Sequence, residues 1–181
     1  MQDVVKRINS PLNQETVKGL RAGDMVALSG IVYTARDQAH KRLVGLINDG
    51  RPLPVALEGQ TIYYTGPAPA RPGAVVGSIG PTTSARMDPY TPVLLDHGVK
   101  AMIGKGARSP EVIDAIKQAG AVYLVATGGA AAYLAQFVVS AHVAAFEDLG
   151  PEAIFALELA GLPLIVAVDS QGRSALWPDA S

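Results

Sequence analysis

Apolar runs alternate with polar, turn-forming stretches along most of this chain, and the period within each run separates strands from helices. Residues 25–33, MVALSGIVY, are apolar and β-rich and predict the first clear strand. Thr34 with Asp37 three positions on has the form of a capping box. Ala39, Leu43, Leu46 and Ile47 then follow a helical period to a stop at Asn48-Asp49-Gly50. Residues 51–73 carry Pro52, Pro54, Pro67, Pro69 and Pro72, which predicts an extended segment with a short strand at 61–65. Ala74-Val75-Val76 predicts a buried strand leading into a loop. Asp88 and Pro89 predict the N-cap and first position of a helix over 90–97 that Gly98 closes. Strands over 99–103 and 121–126 alternate with helices over 111–118, capped by Ser109-Pro110, and 130–136. A strand over 138–146 carries His142, expected to be partly buried. Pro151 is expected to start a helix reaching about residue 160. A last core strand over 163–169, a Gln171-Gly172 turn and a return pairing by 174–177 complete the chain. The pattern is α/β, built from strand–loop–helix units, and predicts one domain over 1–181. Residues 1–24 form a polar N-terminal arm, irregular apart from a short helical turn after Thr16.

Composition narrows the choices. Of 181 residues, 49% are hydrophobic and 17% charged, enough for a packed core and a surplus most simply covered by a protein partner. The net charge is −1 and no block of Lys or Arg stands out, so neither nucleic acid nor an anionic membrane is an expected partner. There is no cysteine, which removes disulfides, thiolate nucleophiles and any cysteine-held metal or iron–sulfur cluster within this chain. The first residues lack the apolar core of a secretory signal, and no uninterrupted apolar run is long enough to span a bilayer, so the cytoplasm is the expected compartment.

The candidate chemistry gathers where strands give way to helices. Arg36 follows the 25–33 strand. Arg86 shares a loop with Thr82, Thr83 and Ser84. Lys105 stands between Gly104 and Gly106, and Thr127-Gly128-Gly129 makes a fourth junction of small residues. Loops at the carboxyl ends of strands in α/β sheets are where such folds bind ligands. An arginine fork can grip a carboxylate or phosphate, and free N–H groups at a helix start can add to the hold. A solvated Thr/Ser-rich turn uses the same residue types. Lys41 and Arg42 read as a solvated first helical turn, and Tyr63 and Tyr64 as core or interface. Three cations at three strand ends suggest a small, oxygen-rich anion, and one arginine per carboxylate would make it a dicarboxylate. Thr82 between them could take or give a proton, although a free hydroxyl is a poor base and needs a nearby cation or another group. Gly106 after Lys105 rules out a Walker A loop, and Ser109 stands where a dinucleotide fingerprint needs its third glycine. The three histidines show no metal-ligand spacing.

The run Gly80-Pro81-Thr82-Thr83-Ser84-Ala85-Arg86-Met87-Asp88 resembles a motif of the class I, iron–sulfur-dependent fumarases and tartrate dehydratases. Five further segments agree in the family's order. They are residues 30–42 (GIVYTARDQAHKR), 64–67 (YTGP), 103–106 (IGKG), 126–131 (ATGGAA) and 148–153 (DLGPEA). Ala85 departs from the family's usual glycine. The resemblance covers roughly residues 20–170 and is to the separate β subunit, equivalent to the C-terminal domain of single-chain enzymes. It implies a swivelling β/β/α domain and reversible addition of water to a dicarboxylate double bond, either fumarate to (S)-malate or the L-tartrate counterpart. It also implies a 4Fe-4S cluster held by three cysteines of an α subunit, whose open iron position acts as a Lewis acid, in an assembly of α2β2 type. By the matching positions, Arg36, Arg86 and Lys105 would bind substrate carboxylates and Thr82 would transfer the proton. No metal ligand is implied in this chain, which alone would be inactive. Two other classes stay open: a stand-alone enzyme acting on a phosphate or sugar acid, and a non-catalytic anion-binding or regulatory module.

Overall fold

The strand Met25–Thr34 (β2) organises the sheet because it has partners along both of its edges. The computed structural model describes residues 4–126 and 131–177. In chain order the elements are β1 (Lys6–Ser10), α1 (Gln14–Lys18), β2 (Met25–Thr34), α2 (Asp37–Asn48), β3 (Thr61–Tyr63), a 3-10 turn (Ser84–Met87), α3 (Thr91–Asp96), β4 (Ala101–Gly104), α4 (Pro110–Ala119), β5 (Val122–Ala126), α5 (Ala131–Ala135), β6 (Val138–Ala145), a second 3-10 turn (Glu147–Glu152) and β7 (Ile154–Val168). The fold is mixed α/β around one seven-stranded sheet. β1 to β5 pair in parallel as neighbours, and β7 pairs antiparallel with β5, β6 and β2. The β2–β7 pairing closes β2, β3, β4, β5 and β7 into a ring.

Closure explains why these strands are apolar on both faces. Tyr63, Ala101, Ile103, Val122, Leu124, Leu164 and Val166 point to one core, with Leu28 and Val32 of β2. The alternate positions Ile62, Met102 and Tyr123 point to a second core, filled by Leu43 of α2, Leu95 of α3 and Ile116 of α4. A parallel strand covered on both sides reads as a continuous apolar run, as 99–103 and 121–126 do. Ser109 caps α4 as expected, with Oγ accepting from Val112 N at 3.3 Å, and left-handed Gly120 ends it. No helix among the described residues is long and apolar enough to cross a membrane.

Several sequence expectations fail for identifiable reasons. The helix expected from Pro151 to about residue 160 is instead the end of the second 3-10 turn followed by the first half of the 15-residue strand β7. Ile154, Ala156, Leu159, Leu162, Leu164 and Val166 are buried while Glu158 and Ala160 are exposed. The open side of β2 supplies the partner, and tertiary pairing overrides local propensity. The run 74–76 is not a strand, and Val75 is 50% exposed. Gly77 N donates to Ala68 O and Ala68 N to Ser78 O, so the proline-rich segment folds back on itself at the surface. Thr34 caps nothing: its Oγ1 accepts from Phe155 N at 3.0 Å, tying β2 to β7. Asp88 is not a helix N-cap either but ends the first 3-10 turn, and α3 starts later, at Thr91. The N-terminal stretch supplies β1, whose Ile8 is buried, together with Leu12, Val17 and Leu20. Its polar alternate residues hid it. His142 is exposed on β6. The Thr127-Gly128-Gly129 junction lies outside the described residues.

His40, by contrast, is enclosed. Its Nδ1–H donates to the Arg36 carbonyl at 2.8 Å, and its ring meets Tyr64 edge-on at 5.3 Å. Burial pushes its pKa down to about 4. The Arg108 charge adds to that, while the Arg36 carbonyl and Asp37 pull the other way. The folded pKa thus lies below the ordinary 6.5, and the unfolded chain binds more protons between those values. His40 therefore contributes stability that is complete above about 6.5 and lost as pH falls towards 4, on the order of 3 kcal/mol in total. Asp24, Asp148 and Asp169, whose pKa values are lowered, add their own loss only below the ordinary carboxylate range. Urea midpoints should fall across the upper window in the natural chain and stay flat there in His40→Gln. Equal slopes would remove His40 as the cause.

Candidate active site

The parallel pairing puts the carboxyl ends of β2, β3 and β4 side by side, and the four singled-out residues all lie at that edge. Arg36 starts α2 just past β2. Thr65 and Gly66 follow β3. The loop carrying Thr82 and Arg86 is laid across them: Thr82 N donates to Tyr64 O at 2.7 Å, and Thr65 Oγ1 donates to Gly80 O at 2.9 Å. Lys105 follows β4 and pairs as an isolated parallel bridge with Thr83, while Ser84 N donates to Lys105 O at 2.9 Å. Residues distant in sequence are thus joined through the backbone of one loop.

The spacing of the loop depends on Gly104. A Cβ there would lie 1.8 Å from Ser84 Oγ and 2.9 Å from Tyr64 Cδ2. Ser84 is buried and donates to Tyr123 Oη at 2.8 Å, because the single tyrosine proton already goes to Gly106 O at 2.8 Å. Gly66 has a similar role, since a Cβ there would sit 3.2 Å from Arg36 Nη1.

Electrostatics distinguish the three cations. Arg86 is held by Asp37, with Nε to Oδ1 at 3.1 Å and Nη2 to Oδ2 at 2.6 Å. Its remaining Nη1 donates to Thr82 Oγ1 at 3.3 Å. A guanidinium beside a hydroxyl favours the oxyanion, and the Asp37 carboxylate on the same guanidinium offsets part of that effect. Arg36 has a buried Nε with no hydrogen-bond partner, and its guanidinium forms no ion pair among the described residues. A buried unpaired N–H is costly, so this donor is set for an acceptor. Lys105 is exposed and also free of ion pairs among the described residues. It lines a cavity of about 240 Å³ with Pro81, Gly106, Ala126 and Trp177.

Sequence reasoning missed Asp37 as the partner of Arg86, and it missed a buried cation, Arg108, whose Nε donates to Asp88 Oδ1 at 2.8 Å. Neither pair shows a helical or strand spacing, so nothing local could have announced them. Arg42, read as solvated, makes two 2.8 Å bonds to Asp148.

Nothing in this set suits an iron–sulfur cluster. The chain has no thiolate to offer, and no group of three His, Asp or Glu able to hold a metal occurs among the described residues. The rim is suited to an oxyanion.

The sequence of the family described as Fumarase C-terminus matches residues 2–177. The chain belongs to that family. It is 40% identical over 169 residues to a putative L(+)-tartrate dehydratase subunit beta of Methanocaldococcus jannaschii, covering 90% of this chain and 87% of that protein. It is 37% identical over 171 residues to fumarate hydratase 2 of Leishmania major, covering 93% of this chain and 29% of that protein. With the anaerobic class I fumarate hydratase of Escherichia coli it shares 41% identity over 150 residues, 82% of this chain and 27% of the enzyme. The chain therefore spans under a third of those two hydratases and most of the β-type subunit. In this fumarase C-terminus chain, the segments 30–42, 64–67 and 103–106 lie at the carboxyl ends of β2, β3 and β4, 80–88 is the loop laid across them, 148–153 runs through the second 3-10 turn, and residues 127–130 of the sixth lie outside the described residues.

Two outcomes follow from the geometry. Gly104→Ala should cost about 1–3 kcal/mol in thermal or urea unfolding, since Ser84 and Tyr64 must move. Asp37→Asn should change stability by under about 1 kcal/mol, because Arg86 and Asp37 are 50% and 28% exposed. It should also tighten calorimetric binding of a small dicarboxylate, since Arg86 loses a competing carboxylate. Unchanged or weaker binding would show that Asp37 does not compete.

Proposed function

We propose that this chain is the β-type part of a hydro-lyase that reversibly adds water to fumarate to give (S)-malate. An α subunit would complete the site with a 4Fe-4S cluster on three of its own cysteines. The observation that carries the reading is the shared edge of Arg36, Thr82, Arg86 and Lys105, held on three adjacent parallel strand ends. Its support from relatives is the two fumarate hydratases, one of them class I by name, which match 93% and 82% of this chain. We read the closed strand ring with its outer helices as the swivelling β/β/α domain of such enzymes, working in the cytoplasm in an α2β2 assembly.

In this reading Arg36, Arg86 and Lys105 bind and orient the two substrate carboxylates. Thr82 Oγ1 takes the proton from the carbon in dehydration and returns it in hydration. Giving that proton leaves Thr82 as an alkoxide, whose negative charge Arg86 Nη1 stabilises, and taking the proton back from the carbon in dehydration discharges it. Because the cluster ligands are not on this chain, the fate of the departing hydroxyl belongs to the partner. L-Tartrate is the second candidate substrate, favoured by the relative that this chain covers nearly end to end, a putative tartrate dehydratase β subunit.

The test is turnover of fumarate, malate, L-tartrate and mesaconate by this chain alone and with a three-cysteine partner chain. Activity is expected only in the complex. Turnover by the chain alone, or none by a complex that assembles and carries its cluster, overturns the reading. Thr82→Ala should abolish turnover in the complex while dicarboxylate binding largely survives, and an undiminished rate would take Thr82 out of the chemistry.

A further inference from the structure

The two loops that carry the rim are joined a second time, underneath it. Arg108 is three residues beyond Lys105, and its side chain is completely buried. A buried arginine is tolerated only when its donors are satisfied. Here Nε donates to Asp88 Oδ1 at 2.8 Å, Nη2 to Thr91 Oγ1 at 2.8 Å, and both Nη1 and Nη2 to Tyr64 Oη at 3.2 Å. The guanidinium lies between two aromatic faces, 5.2 Å from the Tyr64 ring centroid and 4.9 Å from that of Tyr123. Asp88 stands two residues after Arg86, and its other oxygen accepts from Ser109 N at 2.9 Å. One carboxylate therefore closes the Arg86 loop onto both Arg108 and Ser109.

Tyr64 makes the connection to chemistry. Its ring and hydroxyl bind Arg108, while its carbonyl oxygen accepts from Thr82 N. Tyr123 joins the two loops, lying against Arg108 and bonding Ser84 in one and Gly106 in the other. A buried ion pair is weak evidence for stability, because apolar residues of similar volume often stabilise as well or better. A five-donor planar fork, however, can fix several acceptors at set angles, which a single ammonium or an apolar chain cannot.

We propose that Arg108 is a positioning residue, which sets the Thr82–Arg86 loop against Lys105 so that hydroxyl and cations meet one substrate; this rests on the functional reading above. Arg108 touches no substrate. It acts through Tyr64, Tyr123 and Asp88.

The experiment compares Arg108→Lys and Tyr64→Phe with the natural chain. Arg108→Lys keeps the charge and loses the fork. Tyr64→Phe keeps the ring and loses one acceptor, leaving Asp88 and Arg108 paired, so it reads the same link if the lysine variant fails to fold. In the assembled complex kcat should fall about 10- to 100-fold in Arg108→Lys and less in Tyr64→Phe, with KM changed far less than kcat. In the chain alone, hydrogen exchange should quicken in residues 80–88 but not in β4, β5 or β7. A lowered melting temperature with kcat and loop exchange unchanged would overturn the proposal. A natural complex inert on every dicarboxylate would sink the functional reading instead, and loop exchange would still decide whether Arg108 positions the loop.

Discussion

The pairing of β2 with β7 is the constraint on which the rest of the molecule depends. It turns an open parallel sheet into a ring, and so makes both faces of β3, β4 and β5 interior. Once those strands are covered on both sides, nearly every side chain on them must be apolar or fully hydrogen-bonded. Polar chemistry is thereby confined to the strand ends. The same closure fixes strand register, because a one-residue slip would exchange the two cores. Arg36, Gly66 and Lys105 are consequently placed with the precision of the sheet, while the 80–90 loop is placed only by what bonds to it.

That difference explains why the loop is so heavily tied. Thr82 and Ser84 use backbone N–H groups, Thr65 and Ser84 use hydroxyls, and Asp88 uses both carboxylate oxygens. None of these ties is worth much alone. Together they order a segment that local propensity would leave free, at an entropy cost of about 1–2 kcal/mol per residue. The cost falls on stability, and the return is geometric, since in the proposed reaction a hydroxyl about 1 Å out of place can lose about 100-fold in rate.

How much of this was legible in the sequence follows from range. Strands β2, β4 and β5 and helices α2 and α4 were visible because their spacing is local and their caps, such as Ser109, act within a few residues. The first half of β7 was misread as a helix because its partners on β2 lie more than a hundred positions away and Pro151 supplied a misleading helix signal, whereas the apolar run over 163–169 was read as the strand it is. The rim was legible in part: Arg36, Arg86 and Lys105 stood out by repeating one topological place. Asp37 and Arg108 did not, because a charged residue in a turn looks the same whether water or a carboxylate solvates it. Asp88 looked like an N-cap because that role and the observed one both use a short acidic side chain to accept from backbone N–H groups. In the folded chain the amide it accepts from is Ser109, twenty-one residues on.

The rim gives the partner proposed above a physical reason. Arg86 and Lys105 are exposed, and charges facing water attract an anion weakly, since the interaction of two unit charges 4 Å apart is only about 1 kcal/mol in bulk water. The same pair in a water-excluded site is worth several times more. Arg86 is further neutralised by Asp37, so by itself this edge can hold a small dicarboxylate only loosely. Thr82 faces the same limit, because a hydroxyl whose oxyanion water can solvate gains little from one guanidinium at 3.3 Å. A surface laid over the carboxyl ends of β2, β3 and β4 would remove that water, strengthen each cation, and leave the buried Nε of Arg36 facing an acceptor. The chain thus supplies ordered donors, and the effect of those donors rises with the dryness that a second surface brings.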